Sequence, residues 1–191
     1  MRCFLAIHPP EDVIDELAAL RERMRRTRAD VSWPAPENLH MTLRFLGETT
    51  EEQAAQVAEA LPAVLAQCAR PVLTVQGIGA FPHVERPSVV WVGVDTPDDT
   101  LDEIQAQCEA AASEAGLKQK RKRFTPHITL GRVRGRRRLG ALVRQMREER
   151  NFFGGEFTAS AVTLFRSDIK SGGAVYTPLE EFPLHAVHDP E

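Results

Sequence analysis

The sequence predicts a protein of mixed helices and strands in which nearly the same unit occurs twice. Segments of helical and strand periodicity alternate in the order β-α-β-α-β-β-α-β-α-β-β along the 191 residues. One His-x-Thr motif falls on a predicted strand in each half of that order, at His40 and at His127. We therefore expect residues 1–191 to form a single domain of two intimately packed, pseudo-symmetric lobes, each carrying one motif and joined without a linker.

Four helices are predicted from apolar residues that recur at helical spacing. The second begins with Thr50 and Gln53 in the form of a capping box, and Pro62 is expected to kink or split it. The third ends at Gly116, a residue that favours the position just past a helix. The helices are expected at about residues 9–28, 50–68, 98–115 and 139–150.

Seven strands are predicted from short runs rich in β-branched and aromatic residues. They are expected at residues 2–7, 39–46, 71–78, 88–94, 124–133, 156–166 and 174–184. The short turn predicted at residues 79–82 favours antiparallel pairing of its two flanking strands. Prolines predict a loop at residues 29–38, and Pro178 and Pro183 are expected to weaken or end the last strand. A hairpin turn is predicted at residues 171–173.

The composition, 42% hydrophobic and 27% charged, predicts an ordinary soluble globular protein of the cytoplasm. No apolar run approaches the roughly 20 residues that a membrane span requires, and the apolar opening ends at residues 8–10, too early for a signal peptide. We expect a monomer without a membrane partner. Cys3, Cys68 and Cys108 are odd in number and far apart, which favours buried thiols in a reducing compartment.

Basic residues are concentrated in one part of the chain, although the net charge is only −3. The basic block, residues 118–138, contains ten Lys and Arg and no Asp or Glu, and it brackets His127. A charge run of this kind is often a solvated turn. This block flanks the motif at His127, whose histidine and threonine could bind an anion. Attraction of a polyphosphate chain such as RNA is therefore an equally open interpretation.

The two motifs have the residues needed to displace a group at phosphorus. Side chains at i and i+2 leave the same face of a strand, so His40 and Thr42 are expected on one face. Their neighbours Met41 and Leu43 would then be buried beneath. A histidine pair can hold one neutral ring as base and one imidazolium as acid. The hydroxyls of Thr42 and Thr129 would hold the phosphate, and a strained cyclic phosphate suits this apparatus better than an unstrained diester.

Two alternatives remain open at the level of sequence. A zinc site is the main chemical one, but neither motif contains a third ligand, and no acid accompanies His127 nearby. The other alternative is an RNA-end-binding module that recognises a terminal phosphate without turnover. We expect no nucleotide cofactor and no serine-hydrolase chemistry, since Walker loops, dinucleotide-binding glycine motifs and serine-hydrolase elbows are absent from the sequence.

With these residues in view, the sequence resembles the two-histidine (2H) phosphoesterase superfamily. Within it, the RNA 2′,3′-cyclic phosphodiesterases, also called 2′-5′ RNA ligases, are the most similar group. The resemblance covers nearly the whole chain, and the paired His-x-Thr motifs are its specific part. The supporting segments are residues 2–7, Trp33, 38–47, 79–82, 87, 90–93, 124–132, 164–167 and 172–176.

The resemblance implies a bilobal α+β fold in which two antiparallel sheets line a central cleft, with the helices on the outside. It implies metal-independent hydrolysis of a terminal 2′,3′-cyclic phosphate of RNA to a 2′-phosphomonoester, and a reverse activity that joins RNA ends through a 2′-5′ linkage. The two histidines are then the acid–base pair, with His40 as proton donor and His127 as proton acceptor.

The remaining expected contacts also follow from the resemblance. Thr42 and Thr129 correspond to the phosphate ligands of the family. Arg132 and Phe45 are expected to contact the phosphate and a base ring, respectively, or else to serve structural roles.

Overall fold

The computed structural model describes residues 1–118, 123–171 and 173–185. Within these ranges, no helix has the length and apolar character that a membrane span requires. The strands are β1 Arg2–Ile7, β2 Val31–Ser32, β3 Met41–Glu48, β4 Val72–Phe81, β5 Val89–Asp95, β6 His127–Val133, β7 Phe153–Thr158, β8 Ala161–Lys170 and β9 Gly173–Pro183. The helices are α1 Glu11–Arg25, α2 Glu51–Leu65, α3 Thr100–Glu114 and α4 Leu139–Glu148.

The strands form one antiparallel sheet in the order β7-β4-β5-β6-β3-β1-β8-β9, with β2 paired to β6 beside this path. The α+β prediction is therefore confirmed. Two four-stranded halves meet between β3 and β6, where the ladder consists of the pair Met41–Ile128. The two sheets implied by the resemblance are the two halves of this sheet, and each half contains one of the His-x-Thr strands.

Two helices pack against the half of the sheet opposite to the strand that precedes them. Helix α1 follows β1 but packs against β7 of the other half, and α3 follows β5 but packs against β3. One hydrophobic core therefore includes side chains from both halves, such as Leu5 of β1 and Val92 of β5, both fully buried. Burial of each such side chain stabilises the fold by about 1.5–3 kcal/mol, so the halves share most of their stabilisation.

The predicted start of α2 is confirmed, but its predicted interruption is not. The Thr50 hydroxyl accepts a hydrogen bond from the Gln53 amide, and the Gln53 side chain accepts one from the Thr50 amide, both at 3.1 Å. Pro62 lies inside α2 and does not split it. Its ring is on the exposed face, where only the hydrogen bond of the missing N–H is lost.

The prediction of a single strand at residues 156–166 is wrong. This segment contains parts of two strands, which belong to different halves of the sheet. Strand β7 ends at Thr158 and pairs with β4, whereas β8 begins at Ala161 and pairs with β1. Between them, the Ala159 amide donates to the Pro71 carbonyl at 3.0 Å. Apolar residues alternate without interruption across this crossover, so the periodicity carried no sign of the break.

Three shorter segments also differ from their predictions. Residues 29–38 are not entirely loop: Val31–Ser32 pair with the end of β6 as β2, and Pro36–Asn38 form a 3₁₀ turn. Strand β4 continues through the predicted turn to Phe81. Strand β9 continues through Pro178, which is tolerated because β9 is an edge strand and a register shift lies beside it.

The three cysteines are buried and unpaired, as predicted. Cys108 is fully enclosed by the core. Burial raises the pKa of its thiol to about 12, so the side chain remains a neutral, unreactive sulfhydryl at physiological pH.

Gly79 provides a test of the packing that supports the second motif. A Cβ at this position would overlap the Trp91 ring, which covers the glycine on the neighbouring strand. We expect Gly79→Ala to lower the free energy of unfolding by about 1–3 kcal/mol, the usual cost of overpacking. Denaturant unfolding measures this change.

Gly140 of α4 supplies the matched control, because a Cβ there meets nothing within 4 Å. Gly140→Ala should stabilise the protein by about 0.5–1 kcal/mol through helix propensity. Equal effects of the two substitutions would contradict the assigned packing of Trp91.

Candidate functional site

The first motif holds His40 in one orientation immediately before β3. The ring Nδ1 lies 2.7 Å from the main-chain carbonyl of Asn38, and Nε2 lies 3.1 Å from the Thr42 hydroxyl. Since a carbonyl only accepts, Nδ1 carries the proton in the neutral ring, and Nε2 then accepts from the hydroxyl. The nitrogen beside Thr42 is therefore the one that is able to take up a proton.

Aromatic side chains from distant strands enclose His40. The ring stacks on Phe4 of β1 with centroids 4.8 Å apart, and it forms a T-shaped pair with the Tyr176 ring of β9 at 5.2 Å. Phe165 of β8 stacks on the other side of Phe4 at 5.2 Å. The packing fixes the ring and leaves it half-buried.

The second motif repeats this arrangement at the start of β6. His127 Nδ1 lies 2.6 Å from the carbonyl of Thr125, again two residues upstream. Phe81 meets the ring edge-on at 5.0 Å, and Trp91 lies at 5.9 Å. Both histidines are thus held through Nδ1 by the main chain and contact aromatic rings, and both are half-buried.

The pair Met41–Ile128 places the two motifs side by side. Both side chains are 1% exposed and lie in the core, which confirms the predicted face for Met41. Because the strands are antiparallel, the residues flanking this pair oppose each other across the junction: His40 faces toward Thr129, and Thr42 toward His127. The four predicted residues are therefore brought to one junction of the sheet.

A β-bulge follows the threonine in both strands. Ala6 pairs with Thr42 but Leu5 pairs with Arg44, so Leu43 is the additional residue in β3. The equivalent shift in β6 lies between its pairings with Trp91 and Val90. Each bulge places two successive residues on the core side and returns the next one to the face of the threonine.

Phe45 and Arg132 are the residues that the bulges return to this face, each five positions after its histidine.

Strict alternation would have placed Arg44 beside Thr42 instead. Arg44 is only 3% exposed and forms an ion pair with Glu109 of α3 at 2.5 Å. Its guanidinium also donates to the carbonyls of Phe45 and Lys118. A buried and paired arginine of this kind stabilises the bulge.

Both histidines are neutral at physiological pH. Burial lowers the pKa of His40 to about 4; the hydrogen bond to Asn38 opposes this shift, and the charges of His8, Arg132 and His127 add to it. Burial also lowers the pKa of His127, and the charge of Arg132 contributes. Arg132 acts on both rings, so the three side chains share one electrostatic environment.

The structure also identifies residues that the sequence did not single out for the site. The most direct are Asn38, Phe4, Tyr176, Phe81 and Trp91. Asn38 links two parts of the site: its carbonyl holds His40, and its side-chain amide donates to the Ala174 carbonyl at 3.1 Å. Apart from the local hydrogen bond between Asn38 and His40, these contacts join segments that are separate in sequence, so no local periodicity indicates them.

The basic block is only partly described, because residues 119–122 lie outside the described ranges. Arg134, Arg136, Arg137 and Arg138 are exposed between β6 and α4. In the part of the chain that the structure describes, no group of three or more His, Cys, Asp or Glu is placed to hold a metal ion.

The comparisons with known proteins agree with this geometry. The model of the 2′-5′ RNA ligase superfamily matches residues 5–170. The RNA 2′,3′-cyclic phosphodiesterase of Aeropyrum pernix is 35% identical over 169 residues, which cover 88% of this chain and 95% of the relative. The relative of the same name from Methanothermobacter thermautotrophicus is 30% identical and covers 96% of this chain and 99% of its own.

Solved structures extend the likeness to the fold. The crystal structure of TT0787 of Thermus thermophilus superposes with a TM-score of 0.79 at 30% identity, covering 98% of this chain and all of the other. E. coli LigT complexed with 3′-AMP has a TM-score of 0.72 at 27% identity, covering 96% and 97%.

The lowered pKa of His40 predicts acid sensitivity of the fold. The pKa of His40 is about 4 in the folded state and 6.5 when unperturbed, so the unfolded chain binds more protons between these values. The free energy of unfolding should therefore fall as the pH decreases from 6.5 toward 4, and denaturant unfolding at several pH values measures this. His40→Gln should remove part of the dependence.

His185→Gln, at an exposed position, serves as the control and should leave the pH dependence unchanged. If His40→Gln and His185→Gln gave the same dependence as the parent protein, the assigned burial of His40 would be wrong.

Proposed function

We propose that this chain hydrolyses terminal 2′,3′-cyclic phosphates of RNA to 2′-phosphomonoesters. The premise is its family: the chain belongs to the 2′-5′ RNA ligase superfamily, as its paired motifs predicted. The names of its relatives support this activity. The observation that carries the proposal is the junction at Met41–Ile128, where two histidines with Nδ1 held by the main chain face each other's threonines.

The proposed reaction uses one ring as base and the other as acid. A water molecule attacks phosphorus while neutral His127 accepts its proton at Nε2. The bond from phosphorus to the 3′ oxygen breaks, and the His40 imidazolium donates a proton from Nε2 to that oxygen. The phosphate remains on the 2′ oxygen. The next turnover requires only that a proton pass from His127 back to His40 through solvent.

The low pKa of His40 sets a condition on this assignment. At neutral pH its ring is uncharged, so the ring becomes an acid only if a nearby negative charge raises its pKa. The phosphate is that charge: bound between the motifs, it stabilises an imidazolium that burial alone disfavours. The substrate would thereby generate the protonation state that its own cleavage requires.

Thr42, Thr129 and Arg132 would hold the phosphate. The Thr42 hydroxyl lies beside His40 Nε2, so a phosphate oxygen placed there would contact both groups. Arg132 provides a permanent positive charge for the non-bridging oxygens as the transition state forms. Phe45, 46% exposed on the same face as Thr42, offers a flat surface for a base ring.

The same groups would also support the ligation of two RNA ends. The 5′ hydroxyl of a second RNA would replace water as the nucleophile, and the bond from phosphorus to the 3′ oxygen would again break. The product is then a 2′-5′ phosphodiester. Because water is present at far higher concentration than any RNA 5′ hydroxyl, hydrolysis should predominate.

We also propose that the two halves are pseudo-symmetric lobes of a single domain, each carrying one motif. Equivalent bulges after Thr42 and Thr129 support this, as do the strand order and the shared core. The lobes do not correspond to the two halves of the chain, since β1, β3, β8 and β9 form one and β4 to β7 the other.

Substitution of either histidine should abolish most of the activity. We expect His40→Ala and His127→Ala each to lower kcat by about 10²–10⁴-fold, the contribution of one general acid or base. The assay is hydrolysis of a nucleoside 2′,3′-cyclic phosphate in the presence of a chelator, with identification of the 2′ or 3′ product. His83→Ala, at an exposed position in the β4–β5 turn, is the matched control and should retain full activity.

A histidine variant with full turnover would refute the acid–base roles. If the parent protein bound a cyclic-phosphate oligonucleotide but produced no product, the RNA-end-binding module would be the better description. Loss of activity with chelator and its return with zinc would instead favour a metal site.

The pH dependence should reveal the effect of the phosphate on the histidines. Both kcat/KM and kcat should be bell-shaped, since one ring must be charged and the other neutral. The pKa of each ring is lowered without substrate, so the kcat/KM optimum should lie at lower pH than the kcat optimum. Rate measurements on a nucleoside cyclic phosphate from pH 4 to 6.5 and above test this.

Arg132→Gln provides a directional check, because the charge of Arg132 lowers the pKa of both rings. The kcat/KM profile of this variant should shift to higher pH whatever its maximum rate. A shift to lower pH would contradict the shared electrostatic environment.

A further inference from the structure

Two arginine-rich segments that are distant in sequence meet on one surface of the protein. The Arg134 amide donates to the Asp30 carbonyl at 2.8 Å, and the Asp30 amide donates to the Arg137 carbonyl at 3.3 Å. Pairing of Val31 with Val133 continues the contact into the sheet. The end of α1 is therefore fastened to the loop between β6 and α4. We define the arginine patch by its six side chains: Arg26, Arg28, Arg134, Arg136, Arg137 and Arg138.

The six side chains of the arginine patch are exposed. Among the described residues, none has an acidic partner within 4.0 Å. Two arginines earlier in α1 differ: Arg23 pairs with Glu149 and Arg25 with Glu22. Asp30 is the acid at the contact between the two segments, and its carboxylate lies against Gly135. The positive charge of the patch is therefore largely uncompensated.

Backbone conformation at the patch also favours a role for the side chains. Arg28 and Arg138 have φ values of 56° and 54°. They are the non-glycine residues with positive φ in the described part of the chain, and both belong to the arginine patch. Glycine or asparagine adopts this conformation at lower cost. Arginine at both positions indicates that the charge itself is useful there.

The arginine patch begins where the candidate site ends. Arg134 follows Arg132 by two residues along the end of β6, a distance of about 7 Å in extended chain. A polyanion with its terminal phosphate at Arg132 would thus meet the patch with its next charges. The exposed large apolar side chains of the described residues all lie elsewhere, which disfavours a lipid surface.

We propose that the arginine patch binds the phosphodiester backbone of the RNA chain whose 3′ end occupies the site. The inference rests on the proposed function and adds that the substrate is an oligonucleotide held along its body. It also assigns a binding role to Arg26 and Arg28, which lie directly after α1. Arginines about a hundred residues apart in sequence should then act as one surface.

The experiment compares equal reductions of charge at three places. R26Q/R28Q and R136Q/R137Q remove two charges each from the arginine patch. R147Q/R150Q is the matched control, because it removes two charges near the opposite end of α4. The measured quantity is the salt dependence of binding to a short single-stranded oligoribonucleotide with a terminal 2′-phosphate. Hydrolysis of a nucleoside 2′,3′-cyclic phosphate is measured in parallel.

Both patch variants should reduce the slope of log K against log salt by about 0.7 for each phosphate that the protein no longer neutralises. Hydrolysis of the nucleoside substrate should be unchanged, since it is too short to reach the patch. The control should retain the parent slope. R26K/R28K should also retain it, which separates removal of charge from disruption of the fold.

A slope for R26Q/R28Q equal to that of R147Q/R150Q would overturn the proposal. Patch-dependent binding to phosphatidylserine vesicles with an unchanged RNA slope would overturn it in favour of a lipid surface. If the parent protein hydrolysed no cyclic phosphate while the patch variants still reduced the slope, the proposed function would fail and the RNA-binding surface would stand.

Discussion

The pairing of Met41 with Ile128 is the contact on which the site depends. It is the point at which β3 and β6 join two four-stranded halves into one sheet. Because it lies between the histidine and the threonine of each motif, both motifs meet above two buried apolar side chains. A longer ladder would hold β3 and β6 alongside each other over their whole length and close the space between the two halves. The single pair joins the halves and leaves β3 and β6 free to diverge on either side of it.

Irregular pairing determines which other side chains reach this junction. The bulges after Thr42 and Thr129 send two successive residues into the core and return Phe45 and Arg132 to the threonine face. The cost of burying Arg44 is offset by its ion pair with Glu109 and its contacts with two carbonyls. The two motifs therefore end differently, one in an aromatic ring and the other in a cation. This difference distinguishes the two ends of the candidate site.

Burial and charge act together on the two histidines. The packing that orients them also reduces their contact with water, and this lowers the pKa of each imidazole. Neutral rings beside a cation suit the proposed anionic substrate, since a phosphate would stabilise an imidazolium and would balance the charge of Arg132. Beyond the junction, the proposed role of the arginine patch would extend the same attraction along the surface, in a region that is open to solvent and therefore screened by salt.

The sequence by itself determined the paired motifs, the faces of Met41 and Leu43, the capping box of α2 and the family, because each depends on local periodicity or on a short pattern. Only the tertiary structure decided that one strand is divided between the halves, that Arg44 is buried while Phe45 is exposed, and that the segments carrying Arg28 and Arg137 meet. These outcomes depend on hydrogen bonds and packing between segments far apart in the chain. Such contacts leave no periodic signal in either segment, so they become visible only when the strands are paired.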